Sequence, residues 1–123
     1  MKFCGYGKVF STVGDDQYNT IGDFWDKMSR SFGLENLRGV GFNWTKTSME
    51  YLIGLKDGII DTMPKIDGVT YKEVELPDGD WQTTHGLTDE LPSIYREIYR
   101  DGALKYEIES FFEDGRCVIE YYR

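Results

Sequence analysis

The two halves of this chain repeat one order of local patterns, strand, helix, strand, strand, and that repetition limits the fold more than any single motif does. Residues 3–13 alternate loosely and carry β-branched and aromatic side chains, the pattern of a strand. Loop chemistry follows over 14–19. Thr20-x-x-Asp23 has the form of a capping box. Ile21, Phe24, Trp25, Met28 and Phe32 then recur at helical spacing up to Gly33, which suits the left-handed position just past a helix end. Arg38–Trp44 and Met49–Lys56 read as strands joined by a hairpin link, Thr45-Lys46-Thr47-Ser48. Tyr51-Leu52-Ile53-Gly54-Leu55 is apolar on both faces, which marks a central, doubly covered strand.

After a connector over 59–68, the second half repeats the plan. A strand over 69–76 ends at the turn Pro77-Asp78-Gly79-Asp80, and a short strand, Trp81–His85, is stopped by Gly86. Thr88 is placed to cap a second helix with Pro92 in its first turn and Leu91, Ile94, Tyr95, Ile98 and Tyr99 as its apolar stripe; Gly102 ends it. Strands over 103–112 and 116–122 are joined by Glu113-Asp114-Gly115. The economical packing of these elements is an α+β domain spanning 1–123. Two pseudo-symmetric strand-helix-strand-strand modules form an antiparallel sheet with both helices on one face. Ligand clefts form readily where two such halves meet.

One strand carries an anomaly. Tyr106-Glu107-Ile108-Glu109-Ser110-Phe111-Phe112 places two carboxylates inside an aromatic run, and no lysine or arginine sits within that run after Lys105. Glu107, Glu109 and Phe111 share one strand face; Tyr106, Ile108 and Phe112 share the other. Alternation alone favours the second set as core and the glutamates as a wet face. Burial of the glutamates would cost several kcal/mol each unless a partner is supplied, and would invite a cation from outside the chain. Two apposed carboxylates could also do acid–base work, one of them raised in pKa by burial and by its neighbour.

Composition narrows the partners. Acidic residues outnumber basic ones by 22 to 14, a net charge of −8, and no Lys/Arg cluster offsets it, so direct nucleic-acid binding is not expected. No apolar run approaches the roughly 20 residues of a membrane span, and the N-terminal stretch lacks the apolar core of a signal peptide. Cys4 and Cys117 therefore read as reduced structural thiols of a cytoplasmic protein. One histidine, His85, and no Cys/His cluster give no support for a zinc site, and no phosphate-cradling glycine motif occurs. No cofactor is expected. Aromatic residues make up 15% of the chain, the preferred lining for flat or cationic ligands as well as for a core. Trp25 lies on the first helix stripe, Trp81 opens a short strand where a ring can line a cleft mouth, and Trp44, Phe42, Tyr51, Tyr95 and Tyr121 are further candidates beside Glu107, Glu109 and Phe111.

With those residues in view, the chain resembles the GyrI-like small-molecule-binding domain, the effector-binding domain of AraC- and MerR-type regulators, in a stand-alone form similar to mobile gene cassette proteins. Ile21-Gly22-Asp23-Phe24-Trp25-Asp26-Lys27-Met28 looks like its first-helix segment, and Glu50-Tyr51-Leu52-Ile53-Gly54-Leu55 like its "Y-x-x-G" strand. Val74 to Gly86 is similar to "I-P-x-G-x-Y-A-x-F-x-H-x-G" with Trp81 at the tyrosine. Ile94-Tyr95-Arg96-Glu97-Ile98-Tyr99 is similar to "I-Y-x-x-W", and Ile108-Glu109-Ser110-Phe111 to "F-E-x-Y", with Phe111 in place of a tyrosine. The closing strand lacks the usual "I-P". Tyr106-Glu107 can be aligned in place of Ile108-Glu109, which leaves open which glutamate faces the pocket. The resemblance implies a pocket between the halves that holds a lipophilic cationic small molecule, with Glu109 as its buried carboxylate. It implies sequestration or sensing. Hydrolysis of a strained electrophile with the pocket glutamate, or inhibition of a gyrase-type enzyme through the acidic surface, are the alternatives. A homodimer is the expected assembly.

Overall fold

The computed structural model describes residues Met1–Arg123. Its strands are β1 (Lys2–Ser11), β2 (Leu37–Phe42), β3 (Ser48–Leu55), β4 (Thr70–Glu75), β5 (Gln82–Leu87), β6 (Tyr106–Phe111) and β7 (Arg116–Tyr122), with helices α1 (Gln17–Phe32) and α2 (Leu91–Arg100). The strands make one sheet in the order β4-β1-β3-β2-β6-β7-β5, antiparallel at every pairing. β1-β3-β2 is mirrored by β5-β7-β6, so the modules expected from the sequence meet at the β2–β6 seam, and β4 is an added edge. No helix is long and apolar enough to cross a membrane.

Both helices cover the same face. Ile21, Phe24, Trp25 and Met28 of α1 pack with Leu37, Met49, Tyr51, Ile53 and Phe111. Tyr95 and Ile98 of α2 pack with Leu104, Ile119 and Tyr121. β3 is buried on both sides, as its composition requires: Tyr51 and Ile53 face the helices, and Leu52 faces the opposite layer with Phe3, Val40, Phe42, Leu76 and Ile108. That opposite layer is closed by Trp81 and Tyr106, and the Trp81 indole N–H donates to the Pro77 carbonyl at 2.9 Å.

Three local expectations are corrected. α1 begins at Gln17, not at a Thr20 cap; the Thr20 hydroxyl donates instead to the Asp16 carbonyl at 3.2 Å inside the first turn. A short turn over Val13–Asp15, with Gly14 and Asp15 both at φ near 60°, delivers the chain to that earlier start. Thr88 does not cap α2; a 3-10 turn, Thr88–Glu90, precedes the helix, and the Glu90 carboxylate accepts the Leu87 N–H at 3.4 Å. Gly86 does not stop its strand. A methyl there would sit 2.6 Å from Ile94 Cδ1, so the glycine lets α2 lie close against β5. Gly33 does end α1, at φ 86°. Cys4 and Cys117 are both free thiols.

Candidate functional site

The register of β6 decides the chemistry of the helix-covered face. Glu109 lies opposite Gly39 of β2 and Glu107 opposite Gly41. These glycines alternate with Arg38, Val40 and Phe42, so the two bare positions fall on the side that α1 and α2 cover. A methyl on Gly39 would collide with the Tyr51 hydroxyl, and one on Gly41 would come within 2.6 Å of Glu107 Oε1. The missing side chains thus open a trough at the seam between the modules. Tyr51, which rises from β3, leans across it to reach Glu109.

Glu109 is 5% exposed and Glu107 3%. The wet-face reading of this strand is therefore overturned: both of its faces are buried, because Ile108 is held in the opposite layer while the carboxylates lie under the helices. The Tyr51 hydroxyl donates to Glu109 Oε1, and the Tyr95 hydroxyl donates to Glu109 Oε2 at 2.6 Å. The Trp25 indole N–H donates to the Tyr51 oxygen at 2.8 Å, completing a buried chain from Trp25 through Tyr51 to Glu109. Glu107 is treated differently. Its Oε2 is buried with no hydrogen-bond partner. Neither glutamate belongs to any of the ion pairs, all of which lie on exposed or partly exposed side chains.

Burial raises both carboxyl pKa values. For Glu107 the rise is large: desolvation is the main cause, the Glu109 charge adds to it, and the Tyr95 hydroxyl opposes it. For Glu109 desolvation is countered by the hydrogen bonds from Tyr51 and Tyr95. Two phenols donate to Glu109 while one oxygen of Glu107 is orphaned, so Glu109 is the carboxyl of the pair better able to hold a negative charge. Tyr51 and Tyr95 are pushed well above the ordinary phenol range, first by burial and then by the glutamate charges, so both remain donors. Tyr18 is raised to about 12, again chiefly by burial.

A cavity of about 490 Å³ opens over this face, between α1 and α2. Glu107 and Glu109 form its floor with Tyr51, Trp25 and Phe111 beside them; Tyr18, Tyr95 and Tyr99 supply further rings. The Phe111 ring meets the Trp25 ring edge-on at 4.7 Å between centroids. The volume is that of a small-molecule site, mostly apolar with a few convergent polar groups. No group of three or more His, Cys, Asp or Glu is placed to hold a metal ion.

Six of the residues selected from sequence meet in this cavity: Glu107, Glu109, Trp25, Tyr51, Tyr95 and Phe111. Four do not. Phe42 and Trp81 belong to the opposite layer, because Phe42 has the parity of Val40 and Trp81 closes that layer. Trp44, just past the end of β2, packs against the core clusters rather than into the cavity. Tyr121 is the register partner of Glu107 but packs under α2 with Tyr95, Ile98, Leu104 and Ile119, and the Arg123 guanidinium lies over its ring at 5.3 Å. Sequence reasoning missed Gln17 and Tyr18 as lining residues and Gly39 and Gly41 as the positions that make room. The spacing of those glycines, two apart in a strand, was the available signal. No protein-family model matches the chain, and comparison with curated proteins gives no match.

Proposed function

We propose that this protein binds hydrophobic cationic small molecules in the cavity between its modules, as a cytoplasmic module that sequesters or senses them. The observation that carries the reading is Glu109: a carboxylate 5% exposed, held by two phenols, floored among rings, with no cation of the chain paired to it. A buried charge without a counter-ion is unfavourable until a cation arrives. A delocalised cation enters such a site at small desolvation cost, and each ring face it covers adds roughly 0.5–2 kcal/mol. The resemblance to GyrI-like effector-binding domains points the same way, and a role in transcription regulation would follow if a DNA-binding partner read the bound state. A thermal-shift comparison tests it. Acridine orange should stabilise the protein in proportion to the logarithm of its concentration above the Kd, and the neutral acridone should not. Equal stabilisation by both would refute charge selectivity.

A further inference from the structure

The cavity holds more polar capacity than a purely charge-balancing site needs. Glu109 has both oxygens occupied by hydroxyl donors from the chain. Glu107 Oε2 has none, though it is buried in a residue 3% exposed. Gln17 Oε1, from the first turn of α1, is likewise buried without a partner, and Gln17 lines the same cavity. A buried acceptor left without a donor is costly, so two of them on residues that line one cavity call for donors from a guest. The hydroxyls of Tyr51 and Tyr95 are committed to Glu109, no lysine or arginine is among the lining residues, and none of the other lining hydroxyls, those of Tyr18, Tyr99 and Thr88, donates to either acceptor. Gly41 lets the Glu107 carboxyl and the Met49 terminal methyl pack against bare backbone, since any side chain there would meet Oε1 at 2.6 Å and that methyl at 2.7 Å.

From this we infer that the cognate ligand is a cation that also carries N–H donors, an amine- or amidine-bearing aromatic, with Glu107 and Gln17 as the acceptors that select it over fully alkylated cations. The inference rests on the cation-binding reading and refines it. Glu109 supplies the attraction for positive charge. Glu107 and Gln17 discriminate among cations of equal charge by leaving their acceptors orphaned when the ligand has no donor. The selectivity is therefore opposite to that of an apolar cage, in which each added methyl group strengthens binding.

Three acridine dyes, all cationic near neutral pH, separate these cases. Proflavine has N–H donors on its two amino groups and its ring nitrogen; acridine orange keeps only the ring N–H; its ring-N-methyl derivative has none. By isothermal titration at one pH, proflavine should bind at least about tenfold more tightly than the ring-N-methyl derivative, with acridine orange between them, since a hydrogen bond from a cationic donor to a buried acceptor is worth about a factor of ten or more. In Glu107→Leu, which removes both carboxyl oxygens, the spread should shrink to about threefold or less. The comparison within the wild-type protein stands even if that variant folds poorly. Equal or tighter binding of the ring-N-methyl derivative would overturn the inference and leave the cation reading intact. Failure of all three dyes to bind would overturn both.

Discussion

Replacing Glu107 with glutamine should make the empty protein more stable as pH rises, and the size of the effect follows from linkage. In the folded state Glu107 is 3% exposed, carries an orphaned oxygen, and faces Glu109, so its pKa lies well above the ordinary carboxylate value. Below the ordinary range, folded and unfolded chains both hold the proton, and the shift does not alter the slope. Above it the unfolded chain has released the proton while the folded chain keeps it. Stability then falls by about 1.4 kcal/mol per pH unit from this group, until the raised folded pKa is reached. Glutamine has the same shape and no proton to lose, so the variant escapes that decline. For a chain of this length 1 kcal/mol corresponds to roughly 3–5 °C in Tm. The assay is thermal or urea unfolding of both proteins from about pH 4.5 to about pH 8, read as a difference so that the surface carboxylates with lowered pKa values, Glu50, Glu73 and Asp114, cancel. Wild type minus Glu107→Gln should become steadily more negative with rising pH. Any constant offset from burying an amide in place of a carboxyl does not affect that slope. A difference that stays flat across the range would refute the buried, proton-holding Glu107.

Other perturbations separate the parts of the site. Tyr51→Phe strips one donor from Glu109 and the only acceptor seen for the Trp25 indole; two buried groups are left short, and urea unfolding should show a loss of about 2–4 kcal/mol, with cation affinity reduced. Gly41→Ala should abolish dye binding by crowding Glu107 and Met49, at about 1–3 kcal/mol of stability. Gly22→Ala, on α1 with open space around it, should instead raise stability by about 0.5–1 kcal/mol. Trp81→Ala should destabilise the opposite layer by about 2 kcal/mol yet leave dye affinity within about twofold, because Trp81 does not line the cavity.

The fold was legible because each module punctuates itself. Gly33, Gly102 and Gly115 mark ends and turns with positive φ, and the helix stripes carry the residues that pack on the sheet. What pattern reading got wrong was local. The start of α1 depends on a turn with two left-handed residues that no periodicity reports, and Gly86 continues its strand because of a helix that passes over it. The site was half legible. Alternation pairs Glu107 with Glu109, but it cannot say that a strand at the seam is covered on both faces, since that depends on Leu76 and Trp81 folding beneath the sheet. For the same reason Phe42 and Trp81, aromatic and near the right strands, stand among the sequence candidates although they lie in the opposite layer. Gly39 and Gly41 hold the register information that would have placed the trough: a strand that omits two side chains on one face is making room for those of its neighbours.

The most direct test of the central claim is the affinity of acridine orange for wild type and Glu109→Gln, measured by isothermal titration at neutral pH beside the neutral acridone. A carboxylate that supplies the charge for a desolvated cation predicts at least a tenfold loss in the variant and negligible binding of acridone by either protein. Unchanged affinity for acridine orange in a folded Glu109→Gln would contradict the account.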